Sequence, residues 1–299
     1  VKVNPKAVLL APVVVLLAAC GPTAKAIDPL QPGWAPSALL AGAGGFYVNP
    51  DNPAANWVRT APPGPRTDSI RARIATRPAA TLIAEPAATA SSHVRAVVTA
   101  AAAVRRQPIL LLDADRAGAC ADGGAGWFGE VARGLGDDRA LVVVRGRECR
   151  PGAAAHALAA AAHTTVLLDV SDAPSPDVAA QRVAVGGPDV DGFATNVGGY
   201  APERVALATS RAIGQALAAS TGKREYLAVI ESSRNGRPVS GACNPAGARI
   251  GLYESLSADG APQQLWLTTP GISDGPCGTA PAGRAGDFVP DLAAALAQR

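Results

Sequence analysis

From Phe46 onward, short and uniformly apolar runs alternate with longer stretches that are only partly apolar. The runs Thr81 to Ala84, Pro108 to Leu112, Ala140 to Val144, Thr165 to Leu168, Gly192 to Thr195, Tyr226 to Ile230 and Gln264 to Leu267 read as strands. Between them, helices are predicted over Asp68 to Thr76, from a cap at Ser91 or Ser92 to Arg106, and over Trp127 to Leu135. Further helices are predicted over Ala153 to Ala162, near Asp177, over Pro202 to Ser220 and from Pro290. Strands that do not alternate with polar residues are buried on both faces, which points to a parallel sheet covered by helices. About seven such strands, with no dinucleotide-binding signature, predict an α/β fold: a distorted parallel β/α barrel in a single domain over 46–299.

The first residues follow another pattern. Lys2 and Lys6 lie at the head of an apolar stretch from Ala7 to Ala18, and Leu17-Ala18-Ala19-Cys20-Gly21 supplies small residues before a cysteine. This order is that of a bacterial lipoprotein signal, with 1–19 removed and Cys20 lipidated. The apolar stretch is short for a bilayer span. Residues 20–45, rich in Pro, Ala and Gly, read as a tether. The expectation is an exported protein held by lipid to the outer face of the bacterial membrane or envelope.

With 48% hydrophobic and 17% charged residues over 299 positions, the chain can build one large core. A net charge of +3 without a basic cluster argues against nucleic acid as a partner. Beside Cys20 stand Cys120, Cys149, Cys243 and Cys277, enough for two disulfides in an exported domain, with three possible connectivities. There are only three histidines and no C-x-x-C pair, so no metal and no cofactor is expected. His156 and His163 read as surface or packing residues on a helix. Gly124 to Gly129 fits G-x-G-x-x-G but lies well past a strand end and reads as a flexible loop. Gly271 to Gly275 fits G-x-S-x-G, yet Pro276 follows it and no histidine occurs after His163, which excludes a serine hydrolase of that type.

What remains is carboxylates at strand ends: Glu85, Asp113, Asp115, Glu148, Asp169, Glu231 and Asp274. A parallel barrel converges such ends on one face. Carboxylates there suit sugar chemistry, in which one acid protonates the leaving oxygen and another activates water. The third strand, however, ends in a basic stretch, Arg145-Gly146-Arg147-Glu148-Cys149.

Several motifs then carry a resemblance in order along the chain: Phe46-Tyr47-Val48-Asn49-Pro50, Ala55-Asn56-Trp57-Val58, Thr195-Asn196 with Tyr200, Glu231 to Gly236, Leu265-Trp266, Pro270 to Gly275 and Gly286 to Pro290. They resemble glycoside hydrolase family six, the inverting β-1,4-glucanases and cellobiohydrolases. The resemblance implies a distorted barrel of about seven strands and disulfides Cys120–Cys149 and Cys243–Cys277. It also implies a base at Asp274, and glycan contacts from Trp266, Asp169, Asn196, Ser233, Arg234 and Asn235. The implied partner is a β-linked glucan or another cell-envelope glycan, bound by a monomer.

The departures from the family's pattern bear on chemistry. Where the family's third strand ends in Glu-Pro-Asp, with the Asp as general acid, this chain has Arg145, Gly146 and Arg147. A second family Asp, before the first disulfide cysteine, is Ala119. A tyrosine ending the second strand is Asp113, tryptophan platforms become Leu82 and Ala242, and a lysine before the last Pro-Gly is Thr268. A guanidinium keeps its proton, so Arg147 cannot be a general acid. Three expectations follow: an impaired, glycan-binding domain; an active glucanase with Asp274 as base and a relocated acid at Glu148, Asp113 or Asp115; or a non-catalytic envelope interaction protein. Glu148 is one residue off register, and a one-residue slip turns a side chain to the other face.

Overall fold

The computed structural model describes residues 45–222, 226–252, 254–255 and 262–298. The expected signal, the lipid-accepting Cys20 and the tether up to residue 44 lie outside the described residues.

The strands are β1 (Thr81–Ile83), β2 (Ile109–Asp113), β3 (Ala140–Arg145), β4 (Thr164–Asp169), β5 (Gly192–Thr195), β6 (Leu227–Glu231), β7 (Glu254–Ser255) and β8 (Gln263–Leu265). They form one sheet in the order β1-β2-β3-β4-β5-β6-β8-β7. Seven strands are parallel and curl into a half-barrel; the two-residue β7 runs antiparallel along β8. The Ala80 N–H donates to the Trp266 carbonyl at 2.8 Å, bringing the chain that enters β1 against the chain that leaves β8.

The uniform apolarity of the strands now has a cause. Ile109, Leu111, Leu141, Val143, Leu167, Val229 and Leu265 fill the interior of the curl. Leu110, Leu112, Val142, Val144, Val166 and Leu168 point the other way, into a core shared with the surrounding helices. Successive side chains of a strand face opposite sides, so burial of both faces demands apolar residues at nearly every position.

The helices are α1 (Pro53–Thr60), α2 (Pro65–Ile70), α3 (Ala87–Ala103), α4 (Ala125–Leu135), α5 (Pro151–Leu158), α6 (Pro176–Val185), α7 (Glu203–Thr221) and α8 (Pro290–Leu296). α1 had not been anticipated, although the Asn52 side chain accepts from the Ala55 N–H and Pro53 occupies the first turn, a cap signal plain in the sequence. The helix expected over Asp68 to Thr76 begins earlier, at Pro65, and passes into a π-helical turn, Arg71–Ala75. α3 begins before its expected serine cap; the Ser92 hydroxyl instead bonds back to the Thr89 carbonyl at 2.8 Å, a hydroxyl use that competes with capping. The stretch Gly124 to Gly129, expected as a flexible loop, opens α4. Gly124 has φ +87°, and a Cβ there would lie 2.7 Å from the Phe128 ring and 3.0 Å from Cys149 Sγ, so glycine lets the helix start against the disulfide.

The disulfides are Cys120–Cys149 and Cys243–Cys277, the pairing the family resemblance implied. The first joins the loops after β2 and β3; the second joins segments that flank Asn244 and Asp274.

Candidate functional site

Alternation along the strands sets the mouth of the half-barrel. Asp113 continues the inward series Ile109, Leu111; Arg145 continues Leu141, Val143; Asp169 continues Leu167. Register places Asp113 beside Arg145 as the last paired residues of β2 and β3. The three side chains meet there. Arg145 Nε lies 3.0 Å from Asp169 Oδ2, Nη1 lies 3.7 Å from Asp113 Oδ2, and Nη2 donates to the Val197 carbonyl at 3.3 Å. The remaining carboxylate oxygens are also occupied. Asp113 Oδ1 accepts from the Arg116 N–H, and Asp169 Oδ1 accepts from the Ser171 N–H and hydroxyl. Burial works against the Arg145 charge, but Asp169, Asp113 and Glu231 outweigh it and hold the guanidinium above its usual value.

A second cluster surrounds Asp274, on the loop after β8. Its Oδ1 lies 2.8 Å from Arg234 Nη1, while Oδ2 accepts from the Tyr200 hydroxyl at 2.7 Å and the Asn244 N–H at 2.9 Å. The Asp274 N–H returns a bond to Asn244 Oδ1 at 3.1 Å. Arg234 is 3% exposed, stacks over the Tyr200 ring with 4.3 Å to its centroid, and donates through Nη2 to the Gly198 carbonyl. Burial raises the Tyr200 hydroxyl pKa, with Arg234 opposing and Asp274 adding to the rise. Gly198, at φ +71°, is pressed between the two arginines: a Cβ there would lie 3.3 Å from Arg234 Nη2 and 3.8 Å from Arg145 Nη2. The two clusters thus share one loop.

Other expected site residues are placed differently. Trp266, expected to contact glycan, is 1% exposed and packs with Ala54, Ile70 and Ala293 beneath α1, α2 and α8; a ring so enclosed presents no face to a sugar. Asn196 spends its amide on the Glu231 carbonyl and the Ala201 N–H, shaping its own loop. Ser233 and Asn235 are buried, and the Ser233 hydroxyl lies 2.9 Å from the Thr268 hydroxyl. Asp115 uses both carboxylate oxygens on the Arg147 N–H, at 3.0 and 3.1 Å. The Arg147 side chain is exposed, with Nε 3.8 Å from Asp172 and 4.0 Å from Asp115. Glu148 is exposed beside it; with Asp115, Gly118, Cys120 and Arg147 it lines an open cavity of about 420 Å³. His156 and His163 are exposed, away from this face. Arg145 and Asn244 belong to the site without having been expected there. An arginine on the inward phase of an apolar strand, beside an aspartate in register, was the available signal for the first.

Glu231 does not join the rim. It is fully buried, and its oxygens accept from the Ser233 N–H at 2.6 Å and the Leu267 N–H at 2.7 Å, tying the end of β6 to the chain after β8. Burial pushes its pKa from 4.5 up to about 7, against those hydrogen bonds and the Arg234 charge. A carboxyl whose pKa is raised by folding stabilises the protein fully below its unfolded value, and loses that contribution as pH climbs through its folded value. Between pH 4.5 and 7 this group is expected to withdraw on the order of 3 kcal/mol as pH rises. Thermal unfolding across that window checks it. Glu231→Gln should flatten the slope while lowering stability throughout, because a carboxamide cannot accept from both amides; a variant that keeps the wild-type slope would place the titration elsewhere.

The model for glycosyl hydrolases family 6 matches residues 153–299. Endoglucanase 1 of Streptomyces halstedii is 30% identical over 281 residues, covering 83% of this chain and 87% of that protein. Endoglucanase A of Thermobispora bispora is 32% identical over 293 residues, covering 84% and 61% respectively. The solved endoglucanase Cel6 from Mycobacterium tuberculosis, in complex with methyl-cellobiosyl-4-deoxy-4-thio-β-D-cellobioside, matches with a TM-score of 0.72 at 27% identity, over 86% of this chain and 97% of that one. The GH6 enzyme of Orpinomyces sp. Y102 shares the fold, with a TM-score of 0.69 at 18% identity. A curled parallel half-barrel, with its ionisable residues gathered at the strand ends, matches these relatives along nearly the whole described domain, and the chain belongs to glycosyl hydrolases family 6.

Proposed function

We propose that this glucanase-like domain binds a β-linked glucan or another envelope glycan and is impaired in hydrolysing it. One observation carries the reading: Arg147 stands at the position that the resemblance assigns to the general acid, and an arginine side chain does not donate a proton in proteins. The neighbouring carboxylates do not replace it. Asp113 is bound to Arg145 and the Arg116 amide, and Asp115 is bound to the Arg147 amide. A glucan leaving group needs protonation, so binding outlasts turnover in such a site. The sequence pattern around Cys20 supports display on the outer face of the membrane through lipid.

The retained Asp274, held by three donors, favours a second reading. In it Asp274 activates water and Glu148, Asp113 or Asp115 supplies the proton. Purified protein incubated with β-1,4 and mixed-linkage glucans separates the two. The expected result is saturable binding of cello-oligosaccharides without turnover. Robust hydrolysis that disappears in Asp274→Ala would overturn the first reading in favour of the second. Neither binding nor turnover would leave the domain as an interaction scaffold.

A further inference from the structure

We propose that Arg145 is a specificity-determining residue that bars the mouth of the half-barrel. This rests on the reading of that mouth as a glycan cleft. The side chain leaves β3 on the inward phase and crosses to β4 and to the loop after β5, with β2 at its other side. All three guanidinium nitrogens are engaged, by Asp169, Asp113 and the Val197 carbonyl. The outer oxygens of both aspartates are taken up by the Arg116 amide and by Ser171. A sugar entering here therefore meets a side chain braced at each nitrogen, with Nε and Nη2 hydrogen-bonded and Nη1 in a looser 3.7 Å ion pair. To pass, it has to displace that side chain, and an ion pair partly withdrawn from water is costly to break on one side.

The bridge also shares a loop with the arginine that holds the candidate base. Arg145 donates to Val197 and Arg234 donates to Gly198, so the two clusters meet on consecutive carbonyls. A ring seated beside Asp274 has to share this space with the Arg145 side chain. Asp113 and Arg145 are also two of the departures from the family pattern, and here they contact each other. The consequence is that glycan is confined to the outer part of the cleft, away from Asp274.

The test is isothermal titration of cellotetraose into wild type and into Arg145→Ala combined with Asp113→Asn. Asp113 is changed with the arginine so that its carboxylate is not left unpaired, while Asp169 keeps the Ser171 N–H and hydroxyl on Oδ1. A second double variant, Arg145→Glu with Asp113→Tyr, carries the residue types of the family pattern and serves if the first does not fold; circular dichroism decides which is used. At least a tenfold gain in affinity over wild type is expected. A purely structural role for Arg145 predicts lost stability and no gain in binding. Measurable wild-type binding with unchanged or weaker binding in the variants would overturn the inference and leave the glycan reading standing. Cellotetraose binding by none of the proteins would overturn both.

Discussion

Introducing Arg147→Asp and Ala119→Asp together, in a background with Arg145→Glu and Asp113→Tyr, is expected to raise hydrolysis of a soluble β-1,4-glucan by about 10²–10⁴-fold over wild type, the range that a positioned general acid contributes. The surroundings of position 147 suit the task. Its backbone amide is pinned by the Asp115 carboxylate, and the Arg147 Nε lies about as near to Asp172 as to Asp115. A carboxyl placed there sits among like charges, which raise its pKa and keep it protonated for donation. With Arg145 left in its bridge, the same two carboxyls should gain far less, because the sugar is held away from Asp274. Reducing-sugar release measures the effect, and Asp274→Ala in the same background should return it to the starting level. No gain in the full combination would mean that Asp274 and position 147 do not face each other across a bound glucan.

In the proposed reading, base and acid sit on different loops. Asp274, the candidate base, is an acceptor fixed by Arg234, Tyr200 and Asn244, and the second disulfide closes around it. The strand ends opposite are occupied by arginine ion pairs. Arg145 takes up Asp113 and Asp169; Arg147 approaches Asp115 and Asp172; Asp172 in turn pairs with Arg182. Among the candidate acids of the second reading, Asp113 and Asp115 are engaged by these arginines. Stability of the loops and competence for proton donation pull in opposite directions at these residues.

The strands were legible in the sequence because burial on both faces leaves only apolar residues, and all seven parallel strands lie where that pattern puts them. β7 was not, since Glu254–Ser255 carries no hydrophobic signal and is defined only by its pairing with β8. The candidate site was legible as a set of strand-end residues and not as an arrangement. Asp113, Asp169 and Asp274 do lie at the barrel mouth, but Glu231, equally a strand-end carboxylate, is buried beneath it. Strand phase was available and puts Arg145 on the interior side, two residues beyond Val143; it puts Glu231 there too, two beyond Val229, so phase alone does not separate a mouth residue from a buried one. Trp266 shows the limit of a motif. The residue type was retained, yet its surroundings are those of a core residue. Asn244 could not be read at all, because it enters through a loop at φ +35° that is closed by a disulfide distant in sequence.

Arg234→Ala is expected to be the most destabilising single change at this face, by about 3–5 kcal/mol, the usual cost of removing one partner of a buried ion pair. The arginine is 3% exposed, and four groups depend on it: the Asp274 carboxylate, the Tyr200 hydroxyl and the Gly198 and Ile272 carbonyls. Without it, Asp274 keeps only neutral donors, and Gly198 loses the donor that fixes the loop shared with Arg145. In a domain of this size such a loss lowers the melting temperature on the order of 10 °C. Calorimetric unfolding with both disulfides intact is the measurement. Arg234→Lys should recover part of the loss, since it restores charge but cannot reach Asp274 and Gly198 through one planar fork. Arg234→Met with Asp274→Asn should be less destabilised than Arg234→Ala alone, because it removes the orphaned charge along with its partner. Equal destabilisation in the two would mean that the cost lies in packing against the Tyr200 ring. The buried pair would then contribute little to stability, and its retention would follow from the need to hold Asp274 in one position.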